Sequence, residues 1–159
     1  MGKILPLELD SADKKILEAL QRDATLSVAE IADLVGLSQS PCWRRIQRLR
    51  ESGIIIAQVT LLDRRLVGLN TQIFAQVKLN GQSRELQDEF SAHIRELPEV
   101  IECFLMMGSI DFLLRIVAED IDAYERFFFD KLSRFPGIKE INSMVAFSQI
   151  KSTTALPIR

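Results

Sequence analysis

A two-part α+β fold is predicted by three observations. The first third of the chain reads as short helices punctuated by capping signals. The remainder alternates period-two and period-3.6 apolar patterns in the order β-α-β-β-α-β. Charge is also unevenly placed. The net charge is −2, yet RRIQRLR at residues 44–50 holds four Arg and no acid. Residues 1–65 hold 10 basic and 9 acidic residues, and residues 66–159 hold 10 and 13. The two parts therefore differ in character as well as in period.

The elements follow in order. Asp10, with Asp13 three residues on, is expected to cap a helix whose apolar face is Ile16, Leu17 and Leu20. Ser27-Val-Ala-Glu30 fits the capping box, in which each side chain satisfies the other's free backbone N–H. Ile31, Ala32 and Val35 continue that helix, and Gly36 stops it because glycine tolerates positive φ. Ser38 is placed to cap a third helix, with Pro41 in its first turn and an end near Gly53. Ile54–Leu62 is rich in β-branched residues and predicts a short strand or hairpin wing. Asp63–Asn70 reads as a linker.

Thr71–Leu79 then alternates, with Ile73, Ala75, Val77 and Leu79 on one face. Ser83–Leu97 places Leu86, Phe90, Ile94 and Leu97 on a helical stripe ended by Pro98. Val100–Met107 and Phe112–Ala118 are apolar strands around Gly108-Ser-Ile-Asp111. In the first, Ile101, Cys103, Leu105 and Met107 share a face, with Val100, Phe104 and Met106 opposite. In the second, Phe112, Leu114 and Ile116 oppose Leu113 and Val117. Ile121–Phe135 is expected to be helical, with Phe128 on the core stripe beside Ile121, Leu132 and Phe135, and Phe127 and Phe129 to either side. Ile138–Ile150 is the final strand. The resulting domains are a winged helix-turn-helix at 1–62, a linker at 63–70, and a ferredoxin-like βαββαβ domain at 71–159.

Composition excludes several functions. Hydrophobic residues make up 47% and charged residues 26%, so a core can form. No apolar run approaches the ~18 residues that span a bilayer, and MGKILPLELD lacks a signal peptide's apolar stretch. A cytoplasmic protein without membrane contact is expected. Two Cys make no disulfide framework and no zinc site, and a single His leaves almost no raw material for a metal cluster or a His-based triad, so neither metal nor cofactor is expected. No phosphate loop or nucleophile–base pair supports an enzyme. Cys42 reads as a small core residue, and His93 as a surface or edge residue.

The chemistry concentrates on the third helix. Cys42, Ile46 and Leu49 fall within a ~60° arc at about 100° per residue. Ser40, Trp43, Arg44, Gln47 and Arg48 lie opposite. Arg can bond guanine bidentately, Gln can bond adenine, and spare Arg or Ser groups can hold phosphates. This face suits the major groove of double-stranded DNA. Trp43 fits either packing or base contact. Reversing Arg44 and Arg48 to Glu is expected to abolish binding without unfolding the chain. In the second part, strands apolar on both faces want cover on both, which a second copy would supply as a two-fold dimer. Gly108-x-x-Asp111 is the candidate small-molecule site. Gly exposes N–H groups for a carboxylate and Asp111 offers a charge for an ammonium, together suiting an amino acid. An ordinary tight turn remains the other reading of this loop.

GLSQSPCWRRIQRLRESGII, with MGSIDFLLRI inside the β-α-β-β-α-β half, resembles the Lrp/AsnC (leucine-responsive, or feast/famine) transcription regulators over nearly the whole chain. The resemblance implies a sequence-specific DNA-binding regulator that is dimeric through its second, regulatory domain and assembles further to octamers on the nucleoid. It implies DNA contacts at Ser38, Gln39, Ser40, Trp43, Arg44, Arg45 and Arg48. It also implies an amino-acid effector between dimers near Met107, Gly108, Ser109 and Asp111. An architectural protein that coats DNA without an effector is the alternative. Uniform binding at all sequences would favour it.

Overall fold

The helices of the first part begin and end where local chemistry dictates. The computed structural model describes residues 8–158; residues 1–7, which hold most of the stretch read for a signal peptide, and Arg159 lie outside the described residues. Helix α1 (Ser11–Arg22) opens with a reciprocal cap between Asp10 and Asp13. Helix α2 (Val28–Val35) opens with the Ser27–Glu30 capping box and closes at Gly36, whose φ of 72° lies in the left-handed region. Helix α3 (Gln39–Glu51) starts after Ser38, which makes no side-chain cap bond. Ile16, Leu17, Ile31, Ala32, Cys42, Ile46 and Leu49 form one buried cluster. Ala32 is buried at the elbow, and its carbonyl accepts from the Leu37 N–H at 2.9 Å.

The strand expected at Ile54–Leu62 is not formed within this single chain. Residues 54–62 lie in no strand, and Ile56, Val59, Leu61 and Leu62 are exposed. β-Branched residues favour a pleated, half-buried surface, and a lone segment without a ladder partner has none to join.

The second part is a four-stranded antiparallel sheet in the order β2-β3-β1-β4. Its strands are β1 (Thr71–Leu79), β2 (Val100–Leu105), β3 (Phe112–Ala118) and β4 (Ile138–Val145). Helix α4 (Arg84–Arg95) connects β1 to β2, and α5 (Ile121–Phe127) with a π-helical turn (Phe128–Leu132) connects β3 to β4. This is the split βαβ arrangement. Ile73, Ala75, Val77, Phe112, Leu114 and Ile116 meet Phe90, Ile94, Phe127 and Leu132 in the core.

Three details differ from the sequence pattern. A bulge between Val100 and Glu102 puts Val100 opposite Ile116 and leaves Ile101 exposed, so the first residues of β2 exchange faces. In the segment after α5, the Ser133 N–H donates to the Phe128 carbonyl, five residues back. The wider turn brings Phe127 into line with Leu132, so Phe127 is buried and Phe128 half-buried, while Ile121, the first residue of α5, is exposed. Strand β4 stops at Val145, and Phe147 and Ile150 are exposed.

The sheet face away from the helices is mixed. Phe74 and Leu113 are half-buried and Phe104 and Met144 are exposed, interleaved with Gln76 and an Arg115–Glu102 ion pair of 2.6 Å. The described residues divide into two compact units, 8–60 with 151–158, and Leu61–Ile150. The last residues group with the helices for a clear reason. The Gln21 amide donates to the Leu156 carbonyl at 3.2 Å and accepts from the Leu156 N–H at 2.6 Å, while Ile158 packs on the helical core.

Candidate nucleic-acid interface

Helix α3 turns Cys42, Ile46 and Leu49 into the core, and this fixes which way its other residues face. Ser38, Gln39, Ser40, Trp43, Arg44 and Arg48 are exposed; Arg45 and Gln47 are partly buried. Burial pushes the Cys42 thiol up, so it stays protonated and serves as an apolar filler.

The four Arg of this helix are not equivalent. Asp13 on α1 is fully buried, and its carboxylate is a hub. It accepts from Arg45 Nη1 at 2.8 Å, from Arg48 Nη2, and from the Asp10 backbone N–H at 3.2 Å. Arg45 also reaches Asp10 at 2.7 Å. The Asp13 backbone N–H and then the Arg45 guanidinium hold the Asp10 carboxyl below the usual carboxylate range. The two carboxylates, Asp13 first, raise Arg45 in return. The Arg45 side chain is 29% exposed and Arg48 48%, so Arg48 keeps N–H groups open to solvent while Arg45 is largely a strut. Arg50 donates to the Gln58 side chain at 3.2 Å. Arg44 pairs with no carboxylate among the described residues. The apparent excess of four positive charges is thus partly neutralised from α1, a pairing that spans 32 to 35 residues and that no local motif announces.

Two surface hollows flank Arg44. One, of about 460 Å³, is lined by Val28, Gln39, Ser40, Trp43 and Arg44. The other, of about 320 Å³, is lined by Asp10, Pro41, Arg44, Arg45 and Arg48. A convex helix with guanidinium groups on its polar face is the shape and charge that a DNA groove accepts.

The candidate effector residues gather in the β2–β3 connection. Met107, Gly108 and Ser109 are exposed, and Gly108 has a φ of 144°, which a side chain would strain. Asp111 anchors the turn. Its backbone N–H donates to the Val77 carbonyl at 2.9 Å, its carbonyl accepts from Met106 at 2.8 Å, and its Oδ2 accepts from the Leu79 N–H at 2.8 Å. Half of this carboxylate is therefore structural. Oδ1 bonds no protein group among the described residues.

Comparison with known proteins places both regions. Residues 9–56 match the winged helix-turn-helix DNA-binding model, and residues 72–156 match the Lrp/AsnC ligand binding domain. The chain belongs to the Lrp/AsnC family. It is a DNA-binding transcriptional regulator with a ligand-binding domain. It is 39% identical over 150 residues to the DNA-binding transcriptional activator DecR of Escherichia coli (strain K12), covering 94% of this chain and 99% of that protein. Among solved structures, an AsnC family transcriptional regulator from Agrobacterium tumefaciens matches with a TM-score of 0.89 and 43% identity, over 94% of this chain and 97% of that one. A transcriptional regulator from Neisseria meningitidis in complex with L-Met matches with a TM-score of 0.90 and 35% identity, over the same shares. Within this Lrp/AsnC chain, the DNA-binding match encloses the Asp13 hub and α3, and the ligand-binding match encloses the Gly108 turn. No described helix is long and apolar enough to cross a membrane.

Proposed function

We propose that this regulator reads specific DNA sequences through α3 and that an amino acid or related small effector modulates its assembly or its DNA binding. The observation that carries the first half is the exposed row of Ser38, Gln39, Ser40, Trp43, Arg44 and Arg48 on a helix in which Arg45 and Arg48 are held in place by a buried carboxylate. Ordered cations lose less freedom on meeting phosphates. Gln47 and Arg45 flank this row, with Arg45 acting mainly to brace it. The neighbour solved with L-Met supports an amino acid as effector. The exposed N–H groups around Gly108 and the free Asp111 Oδ1 suit its carboxylate and ammonium. Met107 and Ser109 border that place.

The mixed sheet face, with Phe74, Leu113, Phe104 and Met144, supports a dimer built through the second domain, and assembly to octamers goes with it. The protein works in the cytoplasm on the nucleoid and is not an enzyme.

The test is light scattering coupled to size-exclusion chromatography, with and without a panel of amino acids, followed by DNA selection under both conditions. A mass shift with one amino acid and a selected sequence are expected. Uniform affinity for all sequences, with no response to any amino acid, would replace this reading by an architectural one.

A further inference from the structure

The indole of Trp43 is 52% exposed at the centre of the DNA-facing row. Trp is highly buried on average and usually finds a partner for its ring. On α3 the inward positions belong to Cys42, Ile46 and Leu49, so the helical register holds Trp43 outside the core. Among the described residues no aromatic ring stacks on it. It faces instead the hollow of about 460 Å³ that it shares with Val28 of α2 and with Gln39, Ser40 and Arg44. The hollow is therefore apolar on the side of Trp43 and Val28 and polar on the rest of its rim, where Arg44 pairs with no carboxylate among the described residues.

This combination matches one feature of DNA. Residues in the first turns of a recognition helix reach base edges in the major groove. There, the donor and acceptor atoms of the four base pairs are polar, and the single apolar group is the thymine C5-methyl. A half-exposed indole has one polar group, its Nε1–H, to offer a phosphate or a guanine edge; its ring face and the valine beside it have none. They gain from excluding water around a methyl group. Arg44 on the same rim complements the charge of the adjacent backbone and keeps the hollow continuous with the DNA-facing row.

Resting on the DNA-binding reading above, we infer that the Trp43–Val28 hollow receives the C5-methyl of one thymine in each half-site. Trp43 is then a specificity-determining residue, and Gln39, Ser40 and Arg44 supply the polar contacts around it.

Deoxyuridine differs from thymidine by that methyl alone and keeps the hydrogen-bonding edge. The full chain is used to select its preferred duplex from random DNA. Each thymine of that duplex is then replaced singly by uracil, and affinity is measured for the wild type, Trp43→Phe and Trp43→Ala. One position per half-site is expected to lose about fourfold in the wild type, the effect of about one buried methylene-sized group. The loss persists in Trp43→Phe, which keeps an apolar ring, and disappears in Trp43→Ala. A selected duplex with no methyl-sensitive position, or one whose sensitivity survives unchanged in Trp43→Ala, overturns this inference and leaves sequence-specific binding standing. Failure to select any preferred sequence overturns both together.

Discussion

The exposed polar side of α3 and the Gly108 turn both meet solvent, but they are built on opposite plans. On α3, two of the Arg side chains are fixed from behind by the buried Asp13, and the helix itself is seated by three core residues. In the turn, Asp111 is tied to β1 while Met107, Gly108 and Ser109 project into solvent. The difference follows from what each would bind. A nucleic acid brings a large, regular charged surface, and a rigid convex helix already complements it. A small amino acid needs concave enclosure to bury most of its surface. A lone turn does not provide that, which is why the effector reading leans on association of copies.

Charge reversal at Arg44 tests the first plan most severely. Arg44→Glu is expected to weaken DNA binding about 100-fold, with unchanged far-UV circular dichroism, because Arg44 supports nothing inside the protein. Arg44→Ala should also lower the slope of log affinity against log salt by about one if the side chain meets a phosphate. Arg48→Glu is a different experiment. It sets a new carboxylate against buried Asp13 and damages the fold. The double reversal expected from the sequence to spare the fold therefore separates into one clean variant and one that is not.

Removing the hub comes next in size. Asp13→Ala removes the reciprocal half of the cap, the bond from the Asp10 N–H, and leaves Arg45 and Arg48 without their shared partner, though Arg45 keeps Asp10. Breaking a buried pair from one side costs 3–5 kcal/mol. Half-exposed Arg side chains recover some hydration, so about 2 kcal/mol is expected. Trp43 is the chain's one tryptophan, so its fluorescence during denaturation reports the helical unit directly. An unchanged midpoint would mean that the Arg side chains are not held by Asp13, and the contrast with the turn would collapse.

The Asp13 hub also marks where sequence reading stops. Both capping boxes, the Gly36 stop and the inward set Cys42, Ile46 and Leu49 are written within a few residues of where they act, and periodicity finds them. The βαββαβ order is legible for the same reason. The exposed row on α3 follows from its inward set by elimination around the helix. Which Arg is free does not, because Asp10 and Asp13 reach across from another helix. The π-helical turn after Phe127 and the bulge after Val100 each shift a stripe by one residue, and a pattern count assumes no such shift. The absence of a strand at residues 54–62 has the same root, since β propensity describes a surface that a partner strand must complete.

The turn yields a smaller, two-sided prediction. Asp111→Ala strands the Leu79 N–H and should cost about 1–2 kcal/mol in the second unit. Asp111→Asn keeps a carbonyl oxygen for that N–H and removes only the charge. It is expected to preserve stability while abolishing any amino-acid-dependent mass shift. Calorimetry with light scattering separates the two. Retained response in Asp111→Asn would assign the residue to holding the turn alone.

The least forceful probe is acid, and it returns to the helical unit. The Asp13 backbone N–H and Arg45 hold Asp10 below its ordinary value of 3.8, and the Ser27 hydroxyl and backbone hold Glu30 below its ordinary 4.5. A carboxyl with a lowered folded-state pKa contributes stability that is complete above its unfolded value and disappears as pH falls through the folded one. The Trp43 signal should therefore show little change from pH 7 to about 5 and a progressive loss of stability below it. Asp10→Asn with Glu30→Gln retains cap-forming side chains but removes both titrations. The double variant should be less stable at neutral pH and less sensitive to acid, so the two curves converge as pH falls. Parallel curves would show that acid acts elsewhere in the unit, and that the caps hold the ends of α1 and α2 through neutral hydrogen bonding rather than charge.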